Sequence, residues 1–179
     1  MADHLGSHGD RPDRDGIGEK LSRRYGRLPH WQLGGSVYFI TFRSKRGDLP
    51  DHALDQVREH ILYDHGRRYD LVFGVLMPDH VHLVIRPREK SPSRWYDLAE
   101  ILKSLKGTSA RSINKLLGMS GPVWQKESFD RIVRDEREFE VTLEYMYWNP
   151  FKSRLVSDPE DYRFFVRPND DDDGVKVVR

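Results

Sequence analysis

Two apolar segments separated only by Pro78 and Asp79 occupy the centre of the chain. Residues 69–77 and 80–85 are both short and rich in valine, leucine and isoleucine. Proline followed by aspartate is a turn signal, and runs of this composition on either side of a turn are typical of strands. The middle of the chain is therefore predicted to form a β-hairpin.

Further predicted elements surround this hairpin. They are a strand at 37–42, a short strand at 123–125, and helices at 51–65, 95–117 and 136–148. Gly107 is a candidate break in the middle helix. Pro150 is expected to end the last helix, because the residue before a proline avoids helical angles. The order of elements predicts an α+β fold, an antiparallel sheet with helices packed on one face.

Length and composition indicate one domain between two polar ends. The chain has 179 residues, 37% of them hydrophobic, which suffices for a single core. Residues 1–28 are almost free of apolar side chains and are predicted to form a flexible basic arm. The four aspartates at 170–173 mark residues 169–179 as an acidic, disordered tail. Residues 29–168 are then the predicted folded domain.

Composition excludes several classes of protein. No cysteine is present, which excludes disulfides, thiolate zinc sites and cysteine nucleophiles. No apolar run approaches the roughly 18 residues that a membrane helix needs, and the first residues lack the pattern of a signal peptide. We therefore expect a cytoplasmic protein with no membrane partner. The formal net charge is only +1, so nucleic-acid binding must be argued from local charge.

The motif His80-Val81-His82 lies in the second strand of the hairpin. Side chains two residues apart on a strand point to the same face, so the two imidazoles are expected to stand side by side. Adjacent imidazoles form half of a divalent metal site. The alternatives are two partly exposed strand histidines, or one histidine that is satisfied in the core. Val84 stands where a hydrolase of the histidine-triad kind would carry a third histidine, which argues against that family.

A second candidate lies in the last predicted helix, where Tyr145 and Asn149 are four residues apart. This spacing places both side chains on one helix face. A tyrosine can act as a covalent nucleophile, and an amide oxygen can ligate a metal. Tyr147, two residues further on, should point elsewhere. The alternative is a cluster of core aromatic residues at a helix end.

Basic residues cluster in one part of the chain. Residues 88–134 contain ten lysines and arginines against five acidic residues. Bases follow one face of the middle helix, and aromatic residues interleave with the cluster: Lys103, Lys106, Arg111, Lys115, Trp95, Trp124 and Phe129. This pattern is typical of proteins that bind single-stranded or hairpin nucleic acid; the alternative is a solvated helix face. The arm adds Arg23, Arg24 and Arg27, and basic arms often reach into DNA grooves.

Four segments together resemble a known family. They are YFITF at 38–42, VLMPDHVHLVI at 75–85, WQKESFDRIVRD at 124–135 and YMYWNPFKSRLV at 145–156. In order and spacing they resemble the single-tyrosine HUH transposases of the IS200-like type. More narrowly, they resemble the REP-associated tyrosine transposases found in bacteria.

The resemblance implies a ferredoxin-like sheet and a metal-dependent transposase that nicks and joins single-stranded DNA beside hairpins. It implies that His80, His82 and Asn149 hold Mg²⁺ or Mn²⁺. Tyr145 would be the nucleophile, giving a 5′-phosphotyrosine link and a free 3′-OH. A monomer or homodimer associated with the bacterial nucleoid is expected. The residues expected to contact DNA are Arg23, Arg24, Arg27, Lys103, Lys106, Arg111, Lys115, Trp124, Gln125, Lys126 and Arg131.

Two other functions are compatible with these residues. A domesticated relative would grip hairpin DNA and seldom cut it. A metal-dependent hydrolase would use His80 and His82 with water as the nucleophile, and its activity would survive replacement of Tyr145.

Overall fold

The computed structural model describes residues 36–168. The predicted arm and the predicted acidic tail lie outside the described residues. The three α-helices are α1 Asp51–Asp64, α2 Leu98–Leu117 and α3 Glu136–Lys152, and a short 3₁₀ helix covers Pro159–Asp161. The strands are β1 Tyr38–Ser44, β2 Tyr69–Leu76, β3 His80–Pro87, β4 Glu89–Ser91, β5 Arg94–Trp95, β6 Trp124–Ile132 and β7 Phe165–Val166. None of the described helices is long and apolar enough to span a membrane.

Five strands form one antiparallel sheet in the order β6-β1-β3-β2-β7, and β4 pairs separately with β5. The predicted hairpin is formed by β2 and β3, and β3 lies at the centre of the sheet. The predicted α+β class is confirmed. Strand β1 sets the position of the histidine motif, because Thr41 pairs with His82 on one side and with Phe129 of β6 on the other.

The helices divide between the two faces of the sheet. On one face, α2 contacts the sheet where Trp124 Nε1 donates a hydrogen bond of 3.0 Å to Ser109 Oγ, and α1 packs beside α2. On the other face, α3 contacts Phe39 of β1 through the ring of Tyr145. The predicted packing of helices on one face thus holds for α1 and α2, whereas α3 covers the face that carries the histidines.

Helix α3 continues through Pro150 to Lys152, so the prediction that Pro150 ends it is wrong. The backbone N–H groups of Ser153 and Leu155 return to the carbonyls of Asn149 and Pro150, which closes the last turn. Asn149 and Pro150 are both buried, and this packing outweighs the preference of a residue before proline for extended angles. Tyr145 and Asn149 therefore lie on the same helix, one turn apart.

Two other boundaries differ from the prediction. Helix α2 runs unbroken past Gly107, and it begins after the small β4–β5 hairpin rather than at Trp95. The short strand predicted at 123–125 extends to Ile132, because it pairs with β1 along most of its length. Strand β6 is consequently the long edge strand of the sheet.

Candidate active site

The two histidines of the motif stand side by side on β3, as the strand period predicts. Their ring centroids are 4.7 Å apart and the rings are nearly perpendicular. His82 is 4% exposed and stacks on the buried ring of Phe39, whereas His80 is half-buried. The pair opens towards α3 from the centre of the sheet.

Each imidazole is held through its Nδ1 atom. Asp79 Oδ1 lies 2.5 Å from His80 Nδ1, and Thr41 Oγ1 lies 2.7 Å from His82 Nδ1. Arg43 in turn donates to Asp79 at 3.1 Å. These contacts leave Nε2 of both rings for another partner. Sequence reasoning missed these roles of Thr41 and Asp79, and the pairing of β1 with β3 is the signal that reveals the first.

The electrostatic environment keeps His82 neutral. Burial lowers the pKa of His82 to about 3, and the neighbouring His80 and Arg43 side chains act in the same direction. Asp79 opposes this effect only weakly. A neutral imidazole with a free Nε2 has the lone pair that a metal ligand or a proton acceptor requires.

Tyr145 lies against His82 of this pair. Its hydroxyl oxygen is 3.5 Å from His82 Nε2, and the two ring centroids are 5.4 Å apart. The side chain is 43% exposed, and the ring rests edge-on against Phe39. The structure thus brings the predicted nucleophile and the histidine motif together in a partly exposed position.

Tyr147 points away from the site, as its spacing predicts. It is buried, and its hydroxyl donates to Glu160 Oε1 at 2.6 Å. Its ring stacks on Phe165 with centroids 5.7 Å apart. Tyr147 therefore anchors α3 to the segment after it.

Asn149 is buried one turn after Tyr145, and its Oδ1 accepts a hydrogen bond of 3.3 Å from Ser153 Oγ. Its role as a metal ligand remains a prediction. Within residues 36–168, no cluster of three histidine or carboxylate side chains is arranged around one point. Among the residues that the structure describes, a third ligand beside the two histidines would therefore be another kind of group, such as this amide.

The chemistry of the donors fits a divalent cation. Metal-binding histidines usually donate their second N–H to a carboxylate, carbonyl or similar acceptor, which fixes the ring. Asp79 and Thr41 occupy that position for His80 and His82. Two neutral imidazoles and an amide would leave most of the charge of a cation available to an anionic substrate.

The predicted DNA-binding residues separate into two groups. The exposed side chains are Lys103, Arg111 and Lys115 on α2, and Gln125 and Lys126 on β6. The amide of Gln125 also donates to the Ser44 carbonyl at 3.2 Å. They border the face opposite the histidines or the sheet edge, so the structure does not bring them into the site. Arg23, Arg24 and Arg27 lie outside the described residues.

Three further residues predicted to contact DNA have partners within the fold. The ammonium of Lys106 donates to the Lys126 carbonyl at 2.9 Å and to Ser128 Oγ at 3.0 Å, which ties α2 to β6. Trp124 is buried with its ring edge-on to Phe42, so it has no open face for a base, and we assign it to the core.

Arg131 is the third of these residues. Its guanidinium donates to Glu138 and to Thr142 Oγ1 on α3, and it lies over the ring of Phe39 with 5.2 Å to the centroid. This network fixes α3 against β6. Charge and spacing in the sequence could not reveal these contacts with α3.

Thr41→Val tests whether the hydrogen bond between Thr41 and His82 contributes to metal binding. The variant keeps the shape of the side chain and removes the hydroxyl that holds Nδ1. We expect the affinity for Mn²⁺, measured by calorimetry, to fall about 10- to 100-fold, the usual effect of losing such a partner. Thr108→Val on α2, whose hydroxyl bonds only to the backbone of its own helix, is the control and should bind normally. Equal affinity of the Thr41 variant and the native protein would contradict the role.

Comparison with known proteins shows the family to which this chain belongs. The family model for IS200-like transposases matches residues 39–147, which is more than half of the chain and includes the histidine motif and Tyr145. The chain belongs to the IS200-like transposase family. The resemblance seen in the sequence is thereby confirmed.

Two relatives of this transposase family member are named as REP-associated tyrosine transposases. The chain is 21% identical over 136 residues to the REP-associated tyrosine transposase of Escherichia coli strain K12, covering 73% of this chain and 75% of the relative. It is 23% identical over 145 residues to a Haemophilus influenzae relative named as a transposase of the same REP-associated tyrosine type, covering 73% and 78%.

A solved structure has the same fold as this transposase family member. It is a REP-associated tyrosine transposase bound to a REP hairpin, with a TM-score of 0.60 and 19% identity over 76% of this chain and 79% of the other. The similarity confirms the α+β architecture that carries the site.

Proposed function

We propose that this protein is a metal-assisted transferase of single-stranded DNA that acts beside DNA hairpins with Tyr145 as its nucleophile. One observation supports the proposal above the others. Tyr145 is 43% exposed, and its hydroxyl lies 3.5 Å from Nε2 of the buried, neutral His82. A phenol in that position can meet a phosphate that enters from solvent.

The reaction exchanges one phosphodiester for another. Tyr145 Oη attacks the scissile phosphorus in line and loses its proton, while the bond from phosphorus to the 3′ oxygen breaks and that oxygen gains a proton. The products are a 5′-phosphotyrosine and a free 3′-OH. Because the ester bond is conserved in the link, a 3′-OH can reverse the step and join strands. No nucleotide cofactor is required.

His80 and His82, with Asn149, are the residues that would hold a divalent ion such as Mg²⁺ or Mn²⁺. When bound, such an ion supplies Lewis-acid polarisation of a phosphate oxygen and neutralises its charge. The surrounding side chains orient these donors. Asp79 and Thr41 fix the two rings, and the stacked Phe39 keeps water from one side of His82.

The DNA partner follows from the relatives and from the exposed charges of this chain. The solved relative is bound to a REP hairpin, and the relatives named as transposases come from bacteria. We place the hairpin stem of the substrate against the exposed cations of α2, with Lys103 and Arg111 contacting phosphates. An unpaired strand then reaches Tyr145, because a duplex would hide its phosphate from the site.

The alternatives are distinguished by their products. A domesticated hairpin binder would give a stable complex with intact DNA. A hydrolase using water would give cut DNA with no protein attached, and it would not depend on Tyr145. A labelled hairpin with a single-stranded extension, taken from DNA flanking the gene and incubated with Mn²⁺, separates all three outcomes on a denaturing gel. The proposal predicts a protein–DNA adduct.

Neutralising a cation of α2 tests the hairpin surface. Lys103 and Arg111 are exposed and form no ion pair with other residues in 36–168. If each contacts one phosphate, Lys103→Gln or Arg111→Gln should weaken hairpin binding and lower the magnitude of its slope against log salt by about 1. Arg67→Gln at the turn after α1, where the guanidinium covers the ring of Tyr63, is the control. An unaltered salt slope in both α2 variants would show a solvated helix face.

A further inference from the structure

The edge strand β6 carries an exposed aromatic side chain on the same sheet face as the proposed nucleophile. Phe129 is 56% exposed. It pairs with Thr41, which pairs on its other side with His82, and residues paired across neighbouring strands share a face. Two strand spacings separate Phe129 from His82, roughly 10 Å in all.

Phe129 belongs to a row of aromatic rings that leads to the site. The buried ring of Phe39 makes edge contacts with Phe129 at 6.5 Å and with Tyr145 at 6.2 Å between centroids. Phe39 is therefore the buried middle ring of the row, and the exposed rings of Phe129 and Tyr145 contact it on either side. A ring fixed by a buried neighbour offers a flat apolar surface that loses little freedom when a second flat group stacks on it.

Strand β6 also lies between the two surfaces that the substrate must reach. The exposed cations of α2 border the opposite face of the sheet, and Lys106 ties α2 to β6. Tyr145 lies on the other face. A DNA molecule whose stem contacts α2 can pass its unpaired strand to the site across the β6 edge, because α2 lies next to that strand. Phe129 is the exposed ring on the side where that strand arrives.

We infer that Phe129 is a stacking platform for an unpaired nucleobase of the single-stranded DNA, an inference that rests on the proposed function. Stacking on a phenyl ring suits all four bases, so the subsite contributes affinity and register rather than sequence readout. A distance of roughly 10 Å corresponds to about three stacked nucleotides at 3.4 Å each. The stacked base is therefore within about three nucleotides of the scissile phosphate.

A second copy of the chain, paired along β6, is the rival occupant of this edge. Strand edges pair readily when they are flat and apolar, and charged side chains oppose such pairing. The edge of β6 exposes Lys126, Glu127 and Asp130 around Phe129. These charges oppose strand pairing, and the aromatic row that continues to Tyr145 favours the nucleobase.

Binding to two fluorescent probes tests the inference. The probes are the hairpin with its single-stranded extension from DNA flanking the gene, and a twelve-nucleotide oligothymidylate. Phe129→Ala should weaken binding to both by roughly 5- to 150-fold, the effect of removing one base–aromatic stack, and Phe129→Trp should restore it. Ile132→Ala is the matched control, since Ile132 is 40% exposed on the same strand but points to the opposite face. Its affinity should be unchanged.

An abasic scan of the extension makes the result specific. At one position within about three nucleotides of the cleavage site, an abasic nucleotide should weaken DNA binding by the native protein. At that position the native protein and Phe129→Ala should bind the DNA with equal affinity. Three results would overturn the inference. Phe129→Ala could bind as tightly as the native protein, its loss of affinity could persist at every abasic position, or the native protein could fail to bind either probe. A shift from dimer to monomer in Phe129→Ala, seen by sedimentation, would also overturn it in favour of strand pairing. Adduct formation is scored on the same samples, so failure of the nucleophile and failure of the platform are distinguishable.

Discussion

Tyr145→Phe is expected to abolish the covalent DNA adduct while leaving hairpin affinity unchanged. The substitution removes only the hydroxyl, which has no described partner except the 3.5 Å approach to His82 Nε2, and it keeps the ring against Phe39. Loss of a covalent nucleophile removes the chemical step itself, so strand cleavage should fall by more than about 10⁴-fold. Adduct and cleaved strand are measured on a denaturing gel with labelled hairpin DNA and Mn²⁺, and affinity is measured by anisotropy.

The matched control for this variant lies two residues further along the same helix. Tyr147→Phe removes an identical hydroxyl, but one that is buried and bonded to Glu160. It should lower the thermal stability and leave adduct formation intact. Cleavage that survives in Tyr145→Phe at the native rate would mean that water or another side chain is the nucleophile.

His82→Ala and His80→Ala are expected to remove metal-dependent cleavage. Each variant deletes one of the two neutral donors, so the affinity for Mn²⁺ should fall by at least about 100-fold, more than the loss of a supporting hydrogen bond causes. Binding of Mn²⁺ by calorimetry is measured beside cleavage, so that loss of the ion is distinguished from loss of another function of the ring. Hairpin affinity without metal should persist, because the α2 cations are on the other side of the sheet.

His52→Ala serves as the control for both histidine variants. His52 is exposed on α1, on the opposite side of the sheet from the motif. Because His82 is packed on Phe39, its variant needs a check of folding, and His82→Gln offers a second substitution with a polar side chain. Native Mn²⁺ affinity in both His80→Ala and His82→Gln, with folded protein, would contradict the metal assignment.

The parts of the site that were predictable from sequence are those fixed by local geometry. The period of a strand places His80 and His82 on one face wherever the strand lies. The period of a helix does the same for Tyr145 and Asn149, and it separates Tyr147 from them. In each case the relation spans four residues or fewer, so no knowledge of the tertiary fold is needed.

The parts that were missed depend on contacts between distant segments. Thr41 holds His82 only because β1 pairs with β3 in one register, across 41 residues of sequence. Lys106 and Arg131 have the charge of DNA-binding residues, yet each also bonds to another element of the fold. Lys106 of α2 donates to β6, and Arg131 of β6 donates to α3, and neither contact can be inferred before these elements are packed together. The continuation of α3 through Pro150 has the same origin, because burial of that turn outweighs a local backbone preference.

The identity of the residue that carries the DNA tests the account most directly. The protein is incubated with the labelled hairpin and Mn²⁺, the adduct is trapped under denaturing conditions, and nuclease and protease digestion leaves a nucleotide on one peptide for mass spectrometry. We expect a phosphodiester on Tyr145 and on no other residue. A nucleotide on Tyr147 or any other side chain, or cleaved DNA with no modified peptide, would contradict it.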